Sequence, residues 1–240
     1  AEGSNDGTIN IWGTHGGKRL CSFVANVGSA SPGEGTLGGV TALAWSPDGQ
    51  YLASGGYDGK ADVWEVRNTC AEQRYQWEIS RGWSVSLLSW SANAHQILLS
   101  DGTDIRLYSS TSGELIHTFP SQRRTFGLSR SSDGFEVALL RDNGEAGQIV
   151  ELRDAATFQL YLIIEGIPCQ TPASIPLVWS PDGQEVATIC DGKATFWNTR
   201  TGKAQTEIGT NVAALAWSPD GHQIATVGAD GMIHLWAKLP

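Results

Sequence analysis

Apolar residues in this chain come in short runs of about five, and most runs end on the same polar punctuation. From Val40 to Trp64 a first run, Val-Thr-Ala-Leu-Ala-Trp, meets Ser-Pro-Asp-Gly. A second run meets Asp58-Gly59, and a third closes on Trp64. Val212 to Trp236 follows the same plan through Ser218-Pro219-Asp220-Gly221 and Asp230-Gly231. Pro47 and Pro219 fix φ for the first corner of a turn, Asp bonds its own backbone and Gly takes positive φ, so each Ser-Pro-Asp-Gly reverses the chain. Asp-Gly between apolar runs is the strongest short hairpin signal. The runs themselves are rich in β-branched and aromatic residues and show no helical period. Each unit is therefore expected to form three strands joined by two tight turns.

The third-strand terminus recurs at Trp12, Trp64, Tyr108, Leu152, Trp197 and Trp236, in steps of 52, 44, 44, 45 and 39 residues. A first-strand motif recurs with it, as Leu43-Ala44-Trp45-Ser46, Leu88-Ser89-Trp90-Ser91, Leu128-Ser129-Arg130-Ser131, Leu177-Val178-Trp179-Ser180 and Leu215-Ala216-Trp217-Ser218. Less uniform fourth strands are expected at 18–24, 75–80, 114–119, 158–164 and 203–208. Four strands in a period of ~40–45 residues is the signature of a propeller blade. The fold class expected is all-β, a β-propeller of four-stranded antiparallel blades with about five to six blades present.

The Ser-Pro-Asp-Gly turns, the Leu-Ala-Ser-Gly of residues 52–55, the Asp-Gly turns and the Trp closing the third strand resemble the WD-repeat family of β-propellers over essentially the whole chain. Two family features are missing: no Asp follows the Trp, and no Gly-His pair precedes a first strand. The resemblance implies a structural network in each blade. It carries over as Ser54, Asp58 and Trp64, as Thr188, Asp191 and Trp197, and as Thr226, Asp230 and Trp236, each without the family's His. The near-uniform Ser-Pro-Asp-Gly wording is also similar to propellers that bacteria append to signalling kinases and nucleotide-driven switch proteins. A seven-bladed ring, the family's usual form, implies that residues 1–240, read as one propeller domain, lack roughly one and a half to two N-terminal repeats of ~40–45 residues.

Composition narrows the function. With 29 Gly and 10 Trp in 240 residues the chain is heavy in turns and sheet-packing side chains. A net charge of −9 argues against nucleic acid, whose phosphates require a basic face. The longest apolar run, Leu160 to Ile164, is far too short to span a membrane, and a cytoplasmic placement is expected. Cys21, Cys70, Cys169 and Cys190 have no CxxC spacing. They are read as buried small hydrophobes rather than zinc ligands, although their even number permits two disulfides.

Residues present at one phase in every blade serve a need every blade has. Asp48, Asp182 and Asp220 are therefore turn residues, and Asp58, Asp191 and Asp230 join them. His15, His95, His117, His222 and His234 show no metal spacing, though His222 and His234 fall on neighbouring strands of one blade. No metal or cofactor is expected. Singletons concentrate in the connections between blades: the Gly- and Ser-rich 26–39, a Pro-rich 168–176, Arg81-Gly82-Trp83 and Gln122-Arg123-Arg124. Trp and Arg are the types enriched at binding hot spots, and Arg on an acidic protein takes a carboxylate or phosphate bidentately. Tyr57, Arg81, Trp83, Arg123 and Arg124 are accordingly the expected partner-binding residues, on the face that carries these loops, for a protein or peptide partner, acidic or phosphorylated ones included. The alternative is that Trp83 caps a core between blades and the Arg residues are merely solvated. A non-catalytic recognition scaffold is the function expected. The competing readings are a sensor or autoinhibitory domain of a larger regulator and a hydrolase or lyase with a channel-mouth site, for which the loops hold few His or carboxylates.

Overall fold

The computed structural model describes residues 1–25, 39–67, 70–80, 83–144, 147–167, 169, 176–209, 211–228 and 230–238. The expected long loop at 26–39 lies outside them except for Gly39. The chain divides into two compact units, Ala1–Gln122 and Arg123–Pro240.

The first unit holds three sheets. They are β1 (Glu2–Gly3), β2 (Thr8–Trp12) and β3 (Arg19–Val24); then β4 (Val40–Trp45), β5 (Tyr51–Gly56), β6 (Lys60–Val66) and β7 (Ala71–Glu78); then β8 (Leu87–Trp90), β9 (Gln96–Ser100), β10 (Ile105–Ser109) and β11 (Leu115–Phe119). The second unit also holds three. They are β12 (Thr125–Arg130), β13 (Glu136–Asp142), β14 (Gln148–Asp154) and β15 (Leu160–Ile167); then β16 (Leu177–Trp179), β17 (Glu185–Cys190), β18 (Lys193–Asn198) and β19 (Ala204–Ile208); then β20 (Val212–Trp217), β21 (Gln223–Gly228) and β22 (Ile233–Ala237). Strands follow chain order within every sheet and pair antiparallel. No α-helix occurs among the described residues. These are six blades of an all-β propeller, four of them four-stranded.

The turns work as their sequence dictates. Ser46 donates its hydroxyl to Asp48 Oδ1 at 2.5 Å, and the Gln50 N–H donates to the same oxygen at 3.0 Å. Ser180 with Asp182, Ser218 with Asp220, Ser131 with Asp133 and Ser91 with Asn93 make the same bond. Accepting these bonds holds the Asp48 and Asp220 carboxyls below the usual carboxylate range. A second regularity is a bulge between the third and fourth strands. It falls just before the strand-closing aromatic, at Ile11/Trp12, Val63/Trp64, Leu107/Tyr108 and Phe196/Trp197, and bends the outer strand of the blade.

Neighbouring sheets pack face to face. Val63, Val85, Trp90, Ile97, Leu99 and Tyr108 form one buried cluster between the second and third sheets, with Trp77 stacked 4.6 Å from Tyr108. In the second unit Leu140, Val150, Leu152 and Ile164 pack against Trp179, Val186 and Trp197.

The cysteines depart from the reading as inert hydrophobes. Cys21 is joined to Cys70 and Cys169 to Cys190, with Cα–Cα distances of 5.3 and 5.1 Å, inside the range a disulfide requires. Each bond ties one blade to the next. Cys21 lies on the outer strand β3 and Cys70 just before β7, while Cys169 follows β15 and Cys190 ends β17. The packing of adjacent blades brings together residues that sequence spacing keeps apart.

Candidate protein-binding surface

In the four-residue turn after β5, Asp58 accepts the Lys60 N–H at 3.1 Å and Gly59 takes φ 75°. The connection from β7 to β8 runs directly over this turn. A side chain at Gly59 would meet the carbonyls of Ser80 and Trp83, and one at Gly55 would meet the carbonyl of Val85. Glycine is thus needed for close backbone approach as well as for the angle. The Val85 N–H donates to the Gly56 carbonyl at 3.0 Å, and the Thr41 hydroxyl donates to the Val85 carbonyl at 2.6 Å. The segment bearing Trp83 is held on both sides.

What it holds is exposed. Trp83 has 61% of its surface in solvent and Tyr57, on the adjoining turn, has 46%, whereas Trp64, Trp90, Trp179 and Trp197 of the repeat have 5–6%. Trp83 therefore does not cap a core between blades. Arg81 lies outside the described residues. In the second unit the equivalent connection carries Arg123 and Arg124, both exposed. Arg123 donates to the side-chain oxygen of Asn143 in the turn after β13. The Arg124 carbonyl accepts the Asp142 N–H at 2.9 Å, and its guanidinium lies 5.4 Å over the Phe126 ring. Tyr57 and Trp83 are thus brought together at the end of one blade, and Arg123 and Arg124 at the end of another.

Beneath these loops lie the blade pairs. Trp64 Nε1 donates to Ser54 Oγ at 2.8 Å, Trp197 to Thr188 Oγ1 at 2.9 Å and Trp236 to Thr226 Oγ1 at 2.9 Å. The acidic members sit at the turns: Asp191 is exposed with φ 47°, and Asp230 accepts the Met232 N–H at 3.0 Å and faces His234 at 3.3 Å. His222 and His234 do not meet, because the register sets His234 opposite Thr226 and Gln223, next to His222, opposite Ala237. Among the described residues no three His, Cys, Asp or Glu are placed to hold a metal ion.

One group escaped the sequence reading. Asp62 of β6, 1% exposed, accepts Gln73 Nε2 at 2.6 Å and Gln76 Nε2 at 2.8 Å, and burial pushes its carboxyl up to about 6 against these bonds. Its position in the strand pattern was readable; that it faces inward opposite Gln76, with Gln73 brought within reach past the bulge, is a matter of register.

The family model of the WD domain, G-beta repeat, matches residues 32–65 and 202–237. Over 207 residues the chain is 25% identical to an anaphase-promoting complex subunit cdh1 of Dictyostelium discoideum, covering 72% of this chain and 27% of that protein. It is 26% identical over 181 residues to Protein FIZZY-RELATED 2 of Arabidopsis thaliana, covering 72% and 36%. The chain thus spans about a third of the length of these relatives. Among solved structures, a chain of a mitotic checkpoint complex superposes with a TM-score of 0.74 at 20% identity, covering 98% of this chain and 71% of that one. The repeated turns, the third-strand Trp with its Ser or Thr partner, the antiparallel blades and the two family-model matches agree, and the chain is a β-propeller that carries WD-domain repeats at residues 32–65 and 202–237 and is similar to WD-repeat proteins.

Proposed function

We propose that this domain is a non-catalytic protein-recognition scaffold whose contacts are made by the connections between blades. The observation that carries the reading is Trp83: a large aromatic exposed to 61% on a segment fixed two residues on at Val85, whose N–H donates to the Gly56 carbonyl and whose carbonyl accepts the Thr41 hydroxyl. Such a side chain binds with little loss of conformational freedom, and Trp, Tyr and Arg are the types that dominate interface energetics. Tyr57 extends the aromatic contact in the first unit. Arg123 and Arg124, with Arg81 expected beside Trp83, suit a carboxylate- or phosphate-bearing partner. The names of the relatives support the class of function, since one is a subunit of the anaphase-promoting complex and the structural match comes from a checkpoint complex. The two disulfides favour an oxidising compartment over the cytoplasmic placement expected from sequence.

The test is affinity capture from source lysate by the wild-type domain and by Trp83→Ala/Arg124→Ala, read by mass spectrometry. A specific partner captured by the wild type and lost from the variant, at unchanged thermal stability, is the expected result. Identical captures refute the surface, and a large drop in stability shows the two residues to be packing groups.

A further inference from the structure

Asn143-Gly144 is the only Asn-Gly pair in the sequence. It lies in the turn after β13, four residues past Leu139, the partner of Leu128. Asp58 lies four past Ser54, the partner of Leu43, and Asp230 four past Thr226, the partner of Leu215. The turn is closed by main-chain bonds: the Asn143 N–H donates to the Gly147 carbonyl at 2.9 Å and the Gly147 N–H to the Gly144 carbonyl at 3.1 Å. Two charged side chains flank the pair. The Gly144 N–H donates to Asp142 Oδ1 at 3.0 Å, and the Arg123 guanidinium donates to Asn143 Oδ1. Gly144 is exposed, and a Cβ built on it would meet nothing within 4 Å, so water reaches the pair.

These contacts act on both partners of one reaction. A main-chain amide nitrogen is a weak nucleophile because resonance occupies its lone pair, and a carboxylate that holds its proton is the general base that relieves this. A side-chain amide is a weak electrophile, and a guanidinium on its oxygen stabilises the negative charge that develops there on attack. Glycine brings no Cβ to crowd the nitrogen. We propose that Asn143 is a site of spontaneous deamidation promoted by its own neighbours, with Asp142 as the base and Arg123 as the oxyanion support. The Gly144 nitrogen attacks Asn143 Cγ, and its proton passes to Asp142. The Cγ–Nδ2 bond then breaks, and that nitrogen leaves as ammonia with the proton Asp142 returns. The cyclic imide that remains takes up water, which opens one of its two ring C–N bonds and leaves an aspartyl or isoaspartyl residue at position 143. The aspartyl product is the residue type the repeat carries as Asp58 and Asp230, where the carboxylate accepts the N–H two residues on.

Conversion gives Arg123 a carboxylate in place of a neutral acceptor, and the bond between them becomes a charge-assisted one. The consequence for binding rests on the function proposed above: the surface of an aged domain holds an acidic partner less well. The test incubates the folded domain at neutral pH in heavy-oxygen water, beside a synthetic peptide of residues 140–148, and follows position 143 by peptide mapping and mass spectrometry. Replacement of the amide by a labelled carboxyl is expected, roughly tenfold faster in the domain than in the peptide. Asp142→Asn, which keeps an oxygen for the Gly144 N–H but loses the base, and Arg123→Gln should each slow it roughly tenfold. A domain that converts no faster than the peptide overturns the proposal whatever the variants do, as does an unchanged rate in either variant. Capture with Asn143→Asp reads the consequence separately. Weaker retention of an acidic partner is expected, and undiminished retention overturns the effect on binding, while the mass spectra alone decide the conversion.

Discussion

Asp62 is a carboxyl group held in a strand interior by two glutamine amides, and its protonation is coupled to folding. Its value of about 6 in the folded chain lies above its ordinary 3.8, so between those two pH values the folded state binds a proton that the unfolded state does not. Stability contributed by the protonated form is full below about pH 4 and is lost as pH rises through 6, by on the order of 3 kcal/mol. Asp62→Asn is expected to raise the urea midpoint at pH 8 and to leave it nearly unchanged at pH 4. Equal gains at both would show that folding does not raise the proton affinity of the carboxyl. Asp48 and Asp220, with depressed values, have the opposite sign, and their contribution disappears only as pH falls below the carboxylate range. At the same scale, Ser54→Ala strands the buried Trp64 N–H and should cost about 1–3 kcal/mol in equilibrium unfolding. An effect below a few tenths would mean that water replaces the hydroxyl.

Strands and turns were legible because each is specified within a few residues. Ser46-Pro47-Asp48-Gly49 carries its own hydrogen bonds, and the third-strand Trp marks the bulge, although β6 runs on past Trp64 to Val66. The candidate surface was legible only as positions: Trp83 stood out as a singleton and Tyr57 by its place before Asp58 at a turn on the same face, whereas the contact of their segments arises from backbone approach at Gly59. The disulfides and the inward face of Asp62 depend on which residues face one another across strands or across blades, and no local pattern encodes that. The β22 edge is a property of the element as a whole. Among the described residues it pairs only with β21 and exposes Ile233 to 72% and Leu235 to 71%, and an apolar strand edge left open in this way templates pairing with other chains. Ile233→Lys is expected to raise the concentration at which the domain aggregates, followed by light scattering, without lowering its melting temperature. Unchanged aggregation would place the sticky surface elsewhere.

On the scale of the whole molecule, the propeller is held by packing between blades, and each unit carries one covalent tie across such a contact. Cys21 and Cys70 are separated by 49 residues and Cys169 and Cys190 by 21. If the ties act by restricting the unfolded chain, loop-closure entropy assigns about 4 kcal/mol to the longer loop and about 3 to the shorter. The longer loop matters more because it denies the unfolded chain more conformations. Each disulfide lies inside a single unit, so the two effects are expected to add, as independent sites do. Cys21→Ser/Cys70→Ser should therefore lower stability somewhat more than Cys169→Ser/Cys190→Ser, and the fourfold variant by close to their sum. Chemical denaturation with reducing agent omitted and then added measures this. Under reduction the wild type should fall to the level of the fourfold variant, and alkylation before and after reduction should show all four thiols protected, then all four modified. A wild type whose stability and alkylation ignore the reductant would mean that the blades are held by their apolar faces alone.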